Sequence, residues 1–347
     1  MQTNKWTRRA FVATAALASL ASPLLTQIAH ALTLSGAGAT FPAPLYEKWF
    51  FEYNKKNPDV KINYQSIGSG GGINQITNKT VDFGASDAAM NDEQLAKVGG
   101  SSKMLMLPMT AGAVAIAYNL PGVKSGLRLT RVVLTDIYLG KVTKWNDPVI
   151  ASVNRDVKLP DLPIAVVRRS DSSGTTFIFT NHLSAIKSSD WSEKVGKGTS
   201  VNWPTGIGGK GNQGVAAQVQ QTPGAIGYVE YAFAAENNLS VAAVENREGK
   251  FVLPTVKSTE AALEGTKYPE NFRVFIEDPD GASSYPIVGL TWLLVYKEGN
   301  DKAKAAELKK FITWALTEGQ QYVEPLKYTP IPPAVAKNVI KAAEQLK

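Results

Sequence analysis

Val166-Val167-Arg168-Arg169-Ser170-Asp171-Ser172-Ser173-Gly174-Thr175-Thr176-Phe177 changes character twice within twelve residues. An apolar run beginning at Ile164 gives way to two arginines, an acid, a cluster of small hydroxyl residues and a glycine. Apolar residues then return with helical spacing at Phe179, Leu183 and Ile186. This order predicts a strand, a turn and the N-terminus of a helix. The first turn of a helix carries backbone N–H groups without intrahelical partners and the positive end of the macrodipole. Ser173, Gly174 and Thr175 would therefore surround an oxyanion with neutral donors. Arg169 would add a planar charged fork. The competing reading is an ordinary capped helix, with Asp171 or Ser172 as N-cap and both arginines on the surface.

The flanking sequence repeats the alternation of strand and helix. Leu32-Thr33-Leu34 opens a strand that runs into the small-residue loop Ser35 to Pro44. Beyond it Tyr46, Trp49, Phe50 and Tyr53 recur at i, i+3, i+4 and i+7, the pattern of a helix with an aromatic core face. Val60 to Tyr64 alternates as a strand and leads into Gly68-Ser69-Gly70-Gly71-Gly72, a second glycine-rich turn before a helix. Val81 to Asp87 is a short strand ending in small residues and a carboxylate. Ala111 to Tyr118, Ala225 to Tyr231 and Tyr285 to Tyr296 read as further strands, and helices close the chain after Ala305 and after Pro333. Short strands alternating with helices predict α/β layers with mixed, mostly parallel sheets. A length of 347 residues suits two domains of about 150 residues or one large barrel. No internal repeat and no low-complexity linker is present, so two domains would be joined through strands.

Composition narrows the function. Residues 1–31 read as a cleaved export signal: Lys5, Arg8 and Arg9 precede the apolar run Phe11 to Leu25, and Ala29-His30-Ala31 fits a small-x-small cleavage site. Thr7-Arg8-Arg9-Ala10-Phe11 also fits a twin-arginine signal, although Ala13 stands where a lysine is common, so both export routes stay open. Cysteine is absent, which removes disulfides, thiolate chemistry and a lipidated N-terminal cysteine. The expectation is a periplasmic protein without a lipid anchor. The formal charge of +7 falls to +4 without the three basic residues of the signal. That mild balance, with no basic run interleaved with aromatics, argues against nucleic acid.

Several motif matches carry little chemistry. Asp82-Phe83-Gly84 lacks the other kinase signatures. Gly209 to Gly214 spells a G-x-G-x-x-G, but Pro204 and a loop separate it from the preceding apolar residues, and a tight turn opening a helix is the simpler reading. His30 and His182 are the only histidines, which leaves a serine or threonine nucleophile without an evident base. Asp82, Asp87 and Asp92 are spaced for neither one helix face nor one strand face, so no metal site or other cofactor is expected.

Taken together, Gly36 to Pro44, Gly68-Ser69, Val81 to Asp87, Val166 to Thr175 and Gly208 to Tyr231 resemble the phosphate-binding proteins that serve ABC phosphate importers, in family order over nearly all of the mature chain. The resemblance implies a two-lobed periplasmic-binding-protein fold of type II that closes on one dehydrated inorganic phosphate in the cleft between its lobes. Residues 32–110 with 286–347 would form lobe I, and residues 111–285 an inserted lobe II. Thr40 and Phe41 would offer backbone or hydroxyl donors, Ser69 a hydroxyl, and Asp87 the carboxylate that accepts the phosphate proton. Arg169 would be the charged donor, steadied by Asp171, and Ser173, Gly174 and Thr175 the second helix N-terminus. The family often has serine where Gly70 stands and glycine where Ser172 stands. Delivery to membrane permease components of an ABC transporter, by a monomer with no catalytic activity, is the implied role. Its rivals are a phosphatase-like enzyme and a receptor for another oxyanion. Asp87 separates phosphate from sulfate, because a site built around a required hydrogen bond can reject an analogue lacking it by roughly 10⁴ to 10⁵.

Overall fold

The same strand-helix-strand-helix-strand unit is built twice. Our computed structural model describes residues 31–186, 189–299 and 301–347, so the export signal lies outside the described residues apart from Ala31. In the first unit β1 (Leu32–Gly38) pairs in parallel with β2 (Val60–Ser66) and with β3 (Phe83–Ser86). Parallel neighbours require crossovers, and helices Ala43–Lys56 and Ser69–Thr77 supply them. The glycines after Ser69 lie inside the second of these helices rather than in a turn before it. Gly72 shows why: a Cβ there would sit 2.6 Å from both the Ala85 carbonyl oxygen and the Gly38 Cα, so the helix rests directly on β1 and β3.

β4 (Met104–Tyr118) is buried along its whole length and joins the two units. β5 (Arg128–Leu129) follows, and then the second unit begins. Here β6 (Ala165–Arg169) pairs in parallel with β7 (Ile207–Gly209) and β8 (Ala225–Glu230), with helices Gly174–Ala185 and Gly211–Gln221 as the crossovers. The two units share no sequence repeat, only topology. β9 (Ser240–Val241), β10 (Ala243–Glu245), β11 (Phe251–Val252) and β12 (Val288–Tyr296) complete the strands among the described residues. The main sheet runs β2-β1-β3-β12-β4-β8-β6-β7, with β9 also on β4, and a small sheet runs β11-β10-β5. β4 lies antiparallel to β12 from Met104 to Ala113 and antiparallel to β8 from Val114 onward. A bulge opposite Thr291 and Trp292 coincides with Pro108, which has no N–H to donate to the ladder.

Tyr46, Trp49, Phe50 and Tyr53 are all buried, and Phe50 and Tyr53 pack on Phe311 of the helix Lys302–Ala315. Each such side chain contributes about 1.5–3 kcal/mol by leaving water. The second unit has its own aromatic group, with Phe179 stacked on Tyr228 at 4.5 Å and Tyr138 and Trp203 around them. The helix Gly174–Ala185 is buried on nearly every side, so its position is set from all directions. Residues 31–347 pack as one compact unit, and among the described residues no helix is long and apolar enough to cross a membrane.

Candidate anion-binding site

Strands that run parallel end on the same edge of a sheet, and the helices that follow them begin there. In each unit, the segments after the first two strands therefore meet at one place: Thr40-Phe41 after β1, Ser69 after β2, Ser173 to Thr175 after β6, and Gly211-Asn212 after β7. Contacts join them directly. The Gly174 amide donates to Ser69 Oγ at 3.0 Å. Asn212 donates its backbone N–H to Thr40 Oγ1 at 3.2 Å, and its side-chain Nδ2 to Thr40 Oγ1 at 2.8 Å and to Thr175 Oγ1 at 3.1 Å. Thr40, Phe41, Ser69, Asp87, Arg169, Ser173, Gly174 and Thr175 are all buried.

Arg169 ends β6 with its side chain only 1% exposed. Its Nε and Nη2 donate to Asp171 Oδ1 and Oδ2 at 2.8 and 2.5 Å, a two-pronged pairing, and Nη1 reaches Thr175 Oγ1 at 3.3 Å. Burial by itself would raise the Asp171 carboxyl, but the Arg169 fork outweighs it and holds the group below the usual carboxylate range. Asp171 also accepts the Gly211 amide at 3.0 Å, tying the β6 turn to the next helix. Under Arg169, the Tyr228 hydroxyl accepts the arginine backbone N–H at 3.1 Å and meets Thr176 Oγ1 at 2.7 Å, so the aromatic layer of the second unit fixes the turn from below.

Neither Asp171 nor Ser172 caps the helix. Ser173 does, its hydroxyl accepting the Thr176 amide at 3.0 Å. Asp171 is committed to Arg169, and the Ser172 hydroxyl donates to Thr199 Oγ1 at 2.9 Å. The Ser173 amide is likewise committed, to the Thr199 carbonyl at 2.8 Å.

Asp87 follows β3 and is 1% exposed. Its Oδ1 accepts Thr291 Oγ1 at 2.8 Å, and its Oδ2 lies 3.4 Å from Ser69 Oγ. Burial pushes the carboxyl up to about 7. The Thr291 hydrogen bond, the Arg169 charge and the Ser69 hydrogen bond pull the other way without cancelling it. Gly174 makes this approach possible, since a Cβ there would stand 2.5 Å from Asp87 Cβ and Ser69 Oγ. The result is one acid facing a guanidinium, three hydroxyls and helix N-termini. Such an arrangement is chemically suited to a tetrahedral oxyanion and offers one place for a proton that the anion carries. Asp82 and Asp92, by contrast, turn to separate partners, Lys304 and Arg273.

Asn212 and Thr291 escaped the reading of the sequence. Asn212 lay within a glycine-rich run read as a turn, yet it follows the same strand-turn-helix order as the segment after Arg169. Thr291 is the one side chain that is neither aliphatic nor aromatic in the apolar strand Val288–Tyr296, apart from Gly289. Both signals were present in the sequence.

Residues 25–318 match the model of the PBP superfamily domain. The chain is 44% identical over 313 residues to the phosphate-binding protein PstS of Pasteurella multocida (strain Pm70), with 89% of each chain covered. It is 42% identical over 325 residues to PstS of Xylella fastidiosa (strain Temecula1 / ATCC 700964), covering 93% of this chain and 88% of the relative. The chain belongs to the PstS family of phosphate-binding proteins. The fold is shared at lower identity with a high-affinity periplasmic phosphate-binding protein solved with phosphate at pH 8.5. That match has a TM-score of 0.73 at 21% identity and covers 89% of this chain and 93% of that one.

Gly70 and Ser172, the positions at which the resemblance implied serine and glycine, face one another. A Cβ on Gly70 would lie 2.2 Å from Ser172 Oγ and 2.4 Å from Ser172 Cβ, and the Gly70 amide donates to the Ser172 carbonyl at 3.0 Å. A serine at position 70 would therefore need a smaller residue at position 172.

Proposed function

We propose that this protein captures inorganic phosphate outside the cytoplasm and delivers it to the membrane permease of an ABC importer. The observation that carries this reading is Asp87, a buried carboxyl set among donors. Phosphate near neutral pH keeps at least one proton and can donate it to Asp87, whereas sulfate has none to give. Thr40, Phe41, Ser69, Thr175 and the Ser173 hydroxyl supply donors from the ends of both units, and Arg169, held by Asp171, supplies the charge. The Gly174 amide is committed to Ser69 Oγ and the Ser173 amide to the Thr199 carbonyl, so neither of these two backbone donors is counted.

The lobes of this reading are residues 32–110 with 286–347 and residues 111–285. The change of partner of β4 between Ala113 and Val114 supports a crossing there. Closure about these strands brings the two walls together on the ligand. Export by the N-terminal signal, a monomeric state and permease docking by the rims of both lobes complete the proposal. A binding role rather than catalysis is favoured because the Ser173 hydroxyl is engaged as a helix cap, and because burial pushes His182, on the same helix, down to about 3. An enzyme would need a free nucleophile beside a competent base.

Calorimetry on the mature protein freed of phosphate tests the reading. Tight phosphate binding with sulfate a poor competitor is expected, and equal affinity for the two anions would refute it.

A further inference from the structure

We infer that Asn212 is a positioning residue that forces two hydroxyls of the site to act as donors toward the anion. A threonine hydroxyl has two lone pairs and one proton, and it can turn that proton toward any nearby acceptor. A hydroxyl that faces an anion contributes only if its proton points that way.

The orientation of Asn212 is settled by a neighbour that has no choice. Its Oδ1 accepts the backbone N–H of Glu230 at 2.9 Å, and a backbone N–H only donates. The other end of the amide, Nδ2, is therefore the end that faces Thr40 and Thr175, and it brings a proton to each. Thr40 Oγ1 accepts a second bond from the Asn212 backbone N–H, and Thr175 Oγ1 a second from Arg169 Nη1. Both lone pairs of both hydroxyls are then occupied. The proton that remains on each has to be given to a third group, and in this site that group is the oxyanion.

Ser69 likewise accepts two amides, those of Asp87 and Gly174 at 3.1 and 3.0 Å, but its remaining proton has Asp87 Oδ2 as an acceptor at 3.4 Å. Asn212 does for the lone pairs of two side chains what backbone amides do for those of Ser69. It also links Thr40, which follows β1, with Thr175, which follows β6, so the polarity of both walls is set by one amide. Asn212 is itself buried, and its amide cannot reorient without leaving the Glu230 N–H unpaired.

This inference rests on the phosphate reading above, and its test separates the two. Phosphate affinity is measured by calorimetry for the mature protein, for N212A, for T40V/T175V and for the triple variant, with melting curves as a check on folding. N212A is expected to weaken binding about 10- to 100-fold, the equivalent of one or two hydrogen bonds to a charged group. In the T40V/T175V background the same change should cost less than about two-fold, because there are no hydroxyls left to orient. A loss that persists undiminished in that background would mean that Asn212 acts through packing or direct contact, and would overturn the inference.

If N212A does not fold, a neutron structure of the unaltered protein with phosphate decides the matter. The deuterons of Thr40 and Thr175 should point at phosphate oxygens, and either one pointing at Asn212 would overturn it. Failure of the unaltered protein to bind phosphate would instead remove the parent reading and this inference with it.

Discussion

Replacing Asp87 with asparagine should make the ligand-free protein more stable at alkaline pH and leave it unchanged at acid pH. Burial raises the carboxyl from an ordinary 3.8 to about 7. The folded protein therefore holds this proton more tightly than the unfolded chain does. Asp87 adds its full share to stability below pH 4, and that share is lost as pH rises from about 4 through 7. A shift of about three pH units at 1.36 kcal/mol each amounts to about 4 kcal/mol once the group is ionised, an upper bound because opening of the cleft would relieve part of it. Asparagine of the same shape keeps an oxygen for Thr291 and carries no charge to desolvate. In a chain of this size 1 kcal/mol corresponds to about 2 °C in Tm, so the variant should melt several degrees above the parent at pH 8 and within a degree of it at pH 4. Melting curves in phosphate-free buffer at both pH values measure this. The same variant should bind phosphate less well and sulfate better, since its Nδ2 offers a donor where the carboxylate offered an acceptor. A stability difference independent of pH, or a parent that melts above the variant at pH 8, would show that Asp87 is not held as a desolvated acid.

Three further substitutions probe the walls of the site. Gly70→Ser alone should weaken phosphate binding by about 5- to 150-fold, the equivalent of the 1–3 kcal/mol that overpacking costs, because its Cβ collides with Ser172. Adding Ser172→Gly should restore affinity to within a few-fold in the same calorimetric titration, and a double variant as weak as Gly70→Ser would refute this steric account. Arg169→Lys keeps the charge but gives up the two-pronged hold on Asp171 and the contact with Thr175, so affinity should fall at least about ten-fold. Unaltered binding by the lysine variant would mean that charge alone matters at this position.

The features legible in the sequence are those whose causes are local. The turn after Val167 announced itself through a strand pattern, a hydroxyl cluster and a glycine, because helix starts are determined by the few residues that make the cap. The aromatic face of Ala43–Lys56 was legible from its spacing, and the acid at position 87 from the family resemblance. Which residue caps the helix was already beyond reach. Asp171, Ser172 and Ser173 are all good caps, and only the competing demands of Arg169 and Thr199 leave the task to Ser173. Gly70 looked like part of a turn because nothing local reveals that Ser172, about a hundred residues on, occupies the space its side chain would need. The sequence by itself therefore determined the alternating elements, the positive wall built on Arg169 and the residue types of the site. Tertiary structure alone decided that β4 exchanges β12 for β8, that Asn212 orients two hydroxyls from opposite walls, and that Asp87 meets Thr291 204 residues away. The reason is physical: proton affinity and hydroxyl direction depend on burial and on partners, and both arise only where distant segments pack together.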